Sequence, residues 1–153
     1  YAWNESIRDR EHPSAIVLSR QKFKQIESPT DSKMGRGGYV IWRAKSGYAR
    51  TTLIASGSEV PLAVEIASRF KNVQVVSMLN LGIFRGQDEK YKKEILRGCV
   101  IAIEASSPSP WFEFADAVIG VDKFGESGNG DDVYLEYGFD VDKIINEIRK
   151  YIR

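Results

Sequence analysis

The stretch TTLIASGSEVPLAVEIA, residues 51–67, decides the fold of this chain. Its first half is an apolar, β-branched run that ends at a glycine, which predicts a buried strand. Its second half begins with Ser58 in the position of an N-cap, followed by Glu59 in the first turn and Pro61 near the start, which predicts a helix. A strand that leads through a glycine turn into a helix is the repeating unit of an α/β domain.

The same alternation continues outward from this unit. Strands are predicted near residues 39–43, 51–56, 73–78, 100–104 and 117–121. One interpretation pairs the first two strands across the turn at Lys45–Arg50. A helix is predicted over QDEKYKKEILRG (87–98) and closed by Gly98, a short aromatic helix at WFEFAD (111–116), and two helices at the end of the chain. The expected fold class is α/β, a three-layer sandwich with a largely parallel five-stranded sheet.

The first 36 residues have a different pattern. The chain opens on Tyr1 without a methionine, which indicates that an upstream part is missing. Trp3 and Ile7 share one face of a predicted amphipathic helix that ends at Pro13. The run SAIVLS (14–19) then predicts a buried strand whose partner strands lie elsewhere, so that we expect residues 1–21 to be poorly anchored. Residues 22–36 have few apolar side chains and are interpreted as a linker.

Composition narrows the range of functions. The chain has 153 residues, enough for one main domain, and its 22 Lys and Arg nearly balance 21 Asp and Glu. This balance gives no reason to expect binding to nucleic acid or to a membrane surface. The single cysteine, Cys99, excludes an intrachain disulfide and fits a reducing, cytoplasmic compartment. No apolar stretch approaches the roughly 18 residues of a membrane span.

Residues with catalytic chemistry are few. The only histidine, His12, precedes a proline at a predicted helix end and is interpreted as an exposed polar residue. Asp131 and Asp132 suit the first turn of a helix, where negative charge complements the helix dipole. We find no Ser/His/Asp set, no metal-ligand quartet and no phosphate loop of the Walker type. We therefore predict no catalytic, cofactor-binding or metal-binding residue in this chain.

Two glycine-containing loops leave alternatives open. SGSE (56–59) stands between a strand and a helix N-terminus, where backbone N–H groups can hold an anion, but Glu59 places negative charge at the same point. Helix capping is therefore favoured there over phosphate binding. The glycines of FGESGNG (124–130) serve either tight turns or close packing, and such a loop alone is weak evidence for a nucleotide site.

Taken together, the segments resemble the transketolase family over nearly the whole chain. The resemblance rests on the following segments, in this order and at this spacing: AIVLSRQ (15–21), GGYVI (37–41), LIASGSEVPLAVEIA (53–67), VQVVSM (73–78), Gln87 with Tyr91, IAIEAS (101–106), Trp111, IGVDKFGESG (119–128) and YGFDVDKI (137–144). By this likeness residues 1–21 are the end of the pyrimidine-binding domain, 22–36 a linker, and 37–153 the carboxyl-terminal domain. LNLGIFRGQ (79–87) and GNGDD (128–132) depart from the family pattern.

For the full-length protein the resemblance implies transfer of a two-carbon ketol unit between sugar phosphates in the pentose phosphate pathway. It implies thiamine diphosphate, held with magnesium or calcium at the interface of a homodimer. The family's cofactor-binding and catalytic segments lie upstream of Tyr1. Only Arg20, in the SRQ segment, matches a family residue with a role, the arginine that binds the substrate phosphate. Ser19 and Gln21 beside it receive no role. The fragment alone is expected to be inactive and structural.

Two other interpretations compete with this one. The chain could be the terminal domain of another thiamine diphosphate enzyme, such as a deoxyxylulose phosphate synthase or a dehydrogenase component. The SRQ segment and the spacing from FGESG to YGFDVDKI favour transketolase. Alternatively, the chain could be a regulatory domain that binds a small ligand at the SGSE and FGESG loops.

Overall fold

A computed structural model describes residues 1–19, 22–27, 29 and 33–152. Its five strands are β1 (Gly38–Trp42), β2 (Thr51–Ala55), β3 (Val73–Met78), β4 (Cys99–Ile103) and β5 (Ala117–Ile119). Its helices are α1 (Ala2–Arg8), α2 (Glu59–Ser68), α3 (Leu81–Arg85), α4 (Glu89–Ile95), α5 (Gly130–Glu136) and α6 (Val141–Ile148), with 3-10 helices at Met34–Arg36 and Ser109–Glu113. All five predicted strands are therefore present, each within two residues of its expected bounds.

The strands form one sheet in the order β1-β3-β2-β4-β5. β2 pairs in parallel with β3 and β4, and β4 pairs in parallel with β5. β1 alone is antiparallel, and it pairs with β3. The prediction of a largely parallel five-stranded sheet is confirmed.

The alternation of side chains along the strands builds a core on each face of the sheet. Leu53 and Val75 point toward α2 and α6, whereas Ile54 and Val76 belong to the core that contains Phe84 of α3 and side chains of α4. Both cores are closed to water, as expected for a parallel sheet covered by helices on its two faces. The three-layer prediction is therefore confirmed.

The interpretation that pairs β1 with β2 was wrong. Both edges of β2 are already occupied, by β3 and β4, which leaves β1 only the outer edge of β3. The segment that connects β1 to β2 crosses the amino-terminal end of β3. There Ser46 N–H donates to Lys71 O (2.8 Å), and Arg50 N–H donates to Asn72 O (2.9 Å). A short connection in sequence thus skips one strand in space.

The predicted buried strand at residues 14–19 is also absent. These residues form neither helix nor strand, and the side chain of Val17 is 94% exposed. The edges of the sheet are formed by β1 and β5, so no strand lies beside the segment to bond its backbone. The expectation that residues 1–21 are poorly anchored stays a prediction.

The first helix is shorter than predicted. α1 ends at Arg8, five residues before Pro13, and buries none of its side chains. The carboxylate of Asp9 accepts hydrogen bonds from the N–H groups of Glu11 (3.0 Å) and His12 (3.1 Å), which turns the chain away from helical geometry. Within the described part of the chain, no helix has both the length and the apolar character needed to cross a membrane.

Gly98 has another role than the predicted closing of a helix. α4 ends at Ile95, three residues earlier, and Gly98 lies in the left-handed region at φ +67°. A Cβ at this position would overlap the carbonyl group of Arg50, which accepts the N–H of Cys99 at 3.1 Å. The glycine therefore permits the close approach that begins the pairing of β2 with β4.

Gly98→Ala is expected to lower the free energy of unfolding by about 2–4 kcal/mol, because the new methyl group meets backbone and the left-handed φ is strained. Urea unfolding of the variant measures this change. Gly125→Ala is the matched control, since Gly125 has open space around its Cα and no positive φ. Equal stabilities of the two variants would contradict this role of Gly98.

Candidate functional site at the carboxyl edge of the sheet

The sheet changes direction between β2 and β4. The chain leaves β2 toward β3 on one side and later returns to β4 on the other side. In open α/β sheets, ligands bind in the crevice outside the carboxyl ends of the strands at such a point. Ser56 and Glu104 are the residues that directly follow β2 and β4, so they stand at this crevice.

Glu104 fills the crevice with its own side chain. Its Oε2 atom accepts hydrogen bonds from the backbone N–H of Ser56 (3.1 Å) and from Ser56 Oγ (2.7 Å). The Glu104 side chain is 9% exposed, and its backbone N–H donates to Ile119 O at 3.0 Å. The place where this fold usually binds a ligand therefore holds an internal carboxyl group.

A second carboxyl group lies beside it. Glu59, the first residue of α2, is 3% exposed and interacts with the Glu104 side chain. Its Oε1 atom accepts hydrogen bonds from Ser58 Oγ (2.9 Å) and from the Tyr134 hydroxyl (3.3 Å). Two buried carboxyl groups thus share a site whose hydrogen-bond donors are Ser56, Ser58 and Tyr134.

The electrostatics of the pair favour a bound proton. Burial, as the main cause, and the neighbouring Glu59 carboxyl together raise the pKa of the Glu104 carboxyl to about 7, although the hydrogen bonds from Ser56 act in the opposite direction. Burial and the nearby Glu59 also raise the pKa of the Tyr134 hydroxyl above its ordinary value. The arrangement can therefore hold a proton between two carboxyl groups near neutral pH.

The donors around the SGSE loop point into the protein. Glu59 N–H donates to Ser56 O (3.0 Å), and Val60 N–H donates to Gly57 O (3.4 Å). Ser58 occupies the N-cap position as predicted, but its hydroxyl bonds the Glu59 side chain instead of capping a backbone N–H. This geometry disfavours the phosphate-binding interpretation of the loop.

The FGESGNG loop caps the helix that follows it, and this helix connects the loop to the acid pair formed by Glu59 and Glu104. Asn129 accepts the N–H of Asp131 (2.9 Å) and begins α5, whose first turn contains Asp131 and Asp132 as predicted. The Tyr137 hydroxyl donates to Phe124 O at 2.7 Å, while the Phe124 ring is almost fully exposed. Tyr134 of α5 then connects this region to Glu59.

The remaining sequence-predicted candidates are His12 and Arg20. His12 is exposed and its Nδ1 atom lies 3.2 Å from the Asp9 carboxylate, in agreement with its prediction as an exposed polar residue. Arg20 and its neighbour Gln21 lie outside the described residues, so the role of Arg20 stays a prediction. Among residues 1–19, 22–27, 29 and 33–152, no group of three His, Cys, Asp or Glu could hold a metal ion.

Sequence reasoning missed Glu104 and Tyr134. Glu104 ends the apolar run CVIAIEAS as its one charged residue, and an acid at the carboxyl end of a buried strand is a recognisable signal. Tyr134 gave no such signal, because its contact with Glu59 joins residues 75 positions apart.

A family model and individual relatives with known names agree on the family that this chain resembles. Residues 37–140 match the family model described as the transketolase-like TK C-terminal domain. A transketolase from Bacillus subtilis is 35% identical over 99% of this chain and 25% of its own length, and a probable transketolase from Streptococcus pneumoniae is 37% identical over 97% and 24%. The chain therefore spans about a quarter of these relatives.

Solved structures of similar proteins agree in fold. A transketolase from Campylobacter jejuni superposes with a TM-score of 0.87 at 38% identity, covering 97% of this chain and 24% of that protein. A transketolase from Pichia stipitis, in complex with sedoheptulose 7-phosphate, gives a TM-score of 0.86 at 26% identity, covering 98% and 23%.

A pH titration tests the acid pair. Because the Glu104 pKa is raised in the folded chain, folding takes up a proton, and this stabilisation is present below about pH 4.5 and lost as pH rises through about 7. We expect the free energy of unfolding to fall by on the order of 2 kcal/mol across this window. Glu104→Gln should remove this fall, since its neutral amide can still accept from Ser56.

The matched control is Glu147→Gln, which removes an exposed carboxylate of α6. It should keep the pH dependence of the original chain in the same urea-unfolding series. If the free energy of unfolding of Glu104→Gln still fell with rising pH as it does in the original chain, the proton-holding role of Glu104 would be contradicted.

Proposed function

This chain belongs to the family of transketolase-like carboxyl-terminal domains, and we propose that it works as the terminal part of a transketolase. The complete protein then transfers a two-carbon ketol unit between sugar phosphates in the pentose phosphate pathway. The observation that carries the proposal is the similarity of 97% of the chain to the terminal quarter of transketolases, in sequence and in fold together. The sugar phosphate bound to the Pichia stipitis relative supports this class of substrate.

We assign residues 1–21 to the end of the pyrimidine-binding domain, 22–36 to a linker and 37–153 to the carboxyl-terminal domain. Apolar side chains of the first segment support the first boundary, because Trp3, Ile7 and Val17 are all more than half exposed and gain by packing against further protein. Ile26 packs against the core formed by β2, α2 and α6, which is consistent with a linker that follows the domain surface.

The cofactor of the complete enzyme is proposed to be thiamine diphosphate with magnesium or calcium. Thiamine diphosphate supplies the carbanion chemistry when bound. The acid pair does not fit the metal, because two donors already bond Glu104 Oε2 and two bond Glu59 Oε1, and because the pair favours a proton. We therefore assign no step of the cofactor chemistry to this chain. The cofactor site is proposed to lie in the upstream part of the protein.

The partners and the compartment follow from the same proposal. The complete enzyme is expected to be a cytoplasmic homodimer, and the single cysteine of this chain suits a reducing compartment. The balanced net charge of the chain gives no reason to propose a nucleic-acid partner. Within the dimer, the role proposed for this domain is to stabilise the subunit.

Arg20 is proposed to bind the phosphate of the sugar substrate in the complete enzyme. A guanidinium group can donate two parallel hydrogen bonds to a phosphate, whereas an ammonium group acts as a point charge. Since the phosphate is remote from the reacting carbon, this contact is expected to contribute about equally in the ground and transition states. Removing it should raise KM more than it lowers kcat.

Arg20→Ala in the full-length protein should therefore lower kcat/KM by about 10- to 100-fold with a phosphorylated donor, the scale of a charged hydrogen bond. With hydroxypyruvate, a donor that has no phosphate, the loss should be small. Arg10→Ala, which removes an exposed arginine of the same segment, should leave both donors unaffected. Equal losses with both donors for Arg20→Ala would contradict the assignment and indicate a structural role.

A further inference from the structure

A small cavity lies at the other edge of the sheet, where the parallel strands begin. It has a volume of about 240 Å³ and is lined by β1, by the β1–β2 connection with its small residues Ala44, Gly47 and Ala49, and by the end of α4. At roughly 30 Å³ per water molecule, this space corresponds to about eight waters. The cavity therefore suits a small ligand, since pockets for larger, drug-sized ligands usually begin at about 300 Å³.

Cationic side chains dominate the charge of this cavity. Lys33, Arg43 and Arg97 line it, and Glu94 is the one acidic residue that lines it among the residues that the structure describes. These described lining residues have a formal charge of +2 (three cations minus one anion), whereas the whole chain of 153 residues has +1. Such a local excess in a concave site concentrates anions.

Two neutral donors on the inner wall of the cavity are already used within the protein. Gln74 Nε2 donates to Thr52 Oγ1 (3.1 Å) and to Ile95 O (2.7 Å), and the Tyr91 hydroxyl donates to Gly38 O (2.7 Å). A ligand therefore depends on the charged groups for recognition. The cavity is therefore expected to discriminate between ligands by their charge and not by their pattern of hydroxyl groups.

The structure also positions two of these cations, Arg97 and Lys33. Arg97 Nε donates to Glu94 O at 2.8 Å, which fixes the guanidinium group at the end of α4. Lys33 Nζ lies 3.8 Å from Glu94 Oε1 and 5.3 Å from the centre of the Tyr91 ring. The ion pair of Lys33 with Glu94 is exposed and worth little, so that an incoming anion can compete for the ammonium group.

We propose that this cavity binds a small dianion, the phosphate group of inorganic phosphate or of a small phosphate monoester. Two guanidinium groups and one ammonium group line the cavity, and a guanidinium group can donate paired, charge-assisted hydrogen bonds to phosphate oxygens. Arg20 is not among the residues that line this cavity in the described part of the chain, and the proposal does not depend on the transketolase assignment. It gives this domain a ligand of its own.

NMR titration of the chain tests the proposal, with inorganic phosphate and glycerol 3-phosphate as probes at constant ionic strength. Both should shift the backbone amides of Ala44, Gly47 and Ala49 saturably at millimolar concentration, and tighter binding of glycerol 3-phosphate would identify a monoester as the ligand. The double variant Arg43→Gln/Arg97→Gln should bind about tenfold more weakly or worse. Arg97→Lys should retain part of the affinity because it keeps the charge.

Two control variants separate this site from other basic residues. Arg149→Gln removes an exposed charge at the end of α6, which packs on the opposite face of the sheet, and should leave the titration unchanged. Arg20→Gln should also leave it unchanged, which distinguishes this site from the proposed substrate site. Shifts that fail to saturate, or that persist undiminished in the Arg43→Gln/Arg97→Gln variant, would overturn the proposal.

Discussion

The burial of β2 is the constraint on which the rest of the structure depends. All five of its residues are buried, with a parallel neighbour on each edge and a helical layer on each face. Polar groups at its ends therefore depend on the chain itself for partners, and among the described residues the buried Thr51 Oγ1 is left without one. At its carboxyl end Glu104 bonds Ser56, and at its amino end Gly98 allows β4 to approach Arg50.

This constraint also limits what the domain can do at the usual ligand position of the fold. The crevice between β2 and β4 holds two carboxyl groups, and their partners come from the loop after β2 and from α5. An acid pair that keeps a proton between its members stabilises the junction of these elements, but repels the anionic groups of a phosphorylated cofactor. Such a self-filled crevice is consistent with the stabilising role proposed for this domain.

The extent to which sequence predicted this architecture differs between local and non-local features. The positions of β2 and α2 follow from local signals, a β-branched run, a glycine and an N-terminal Pro61, and they were predicted within one residue. The partner of β1 did not follow, because pairing depends on which sheet edge is left open. The run at 14–19 has the composition of a strand, yet lacks the neighbour that would make it one.

The candidate site shows the same division. Glu59 was recognised as a charge at a helix start, but its interaction with Glu104 joins positions 45 residues apart (104 minus 59) and required the strand order. The cationic cavity gave no sequence signal either, since Lys33, Arg43 and Arg97 belong to three separate segments. Tertiary placement, not residue type, creates both sites.

The most direct test of the account is calorimetric titration of residues 1–153 with thiamine diphosphate in the presence of magnesium, with the full-length protein as the positive control. If the crevice is filled by Glu104 and the cofactor site lies in the upstream part, the chain gives no saturable heat at micromolar cofactor while the full-length protein does. Saturable micromolar binding to the chain, lost in a variant of the carboxyl-edge loops, would contradict the account.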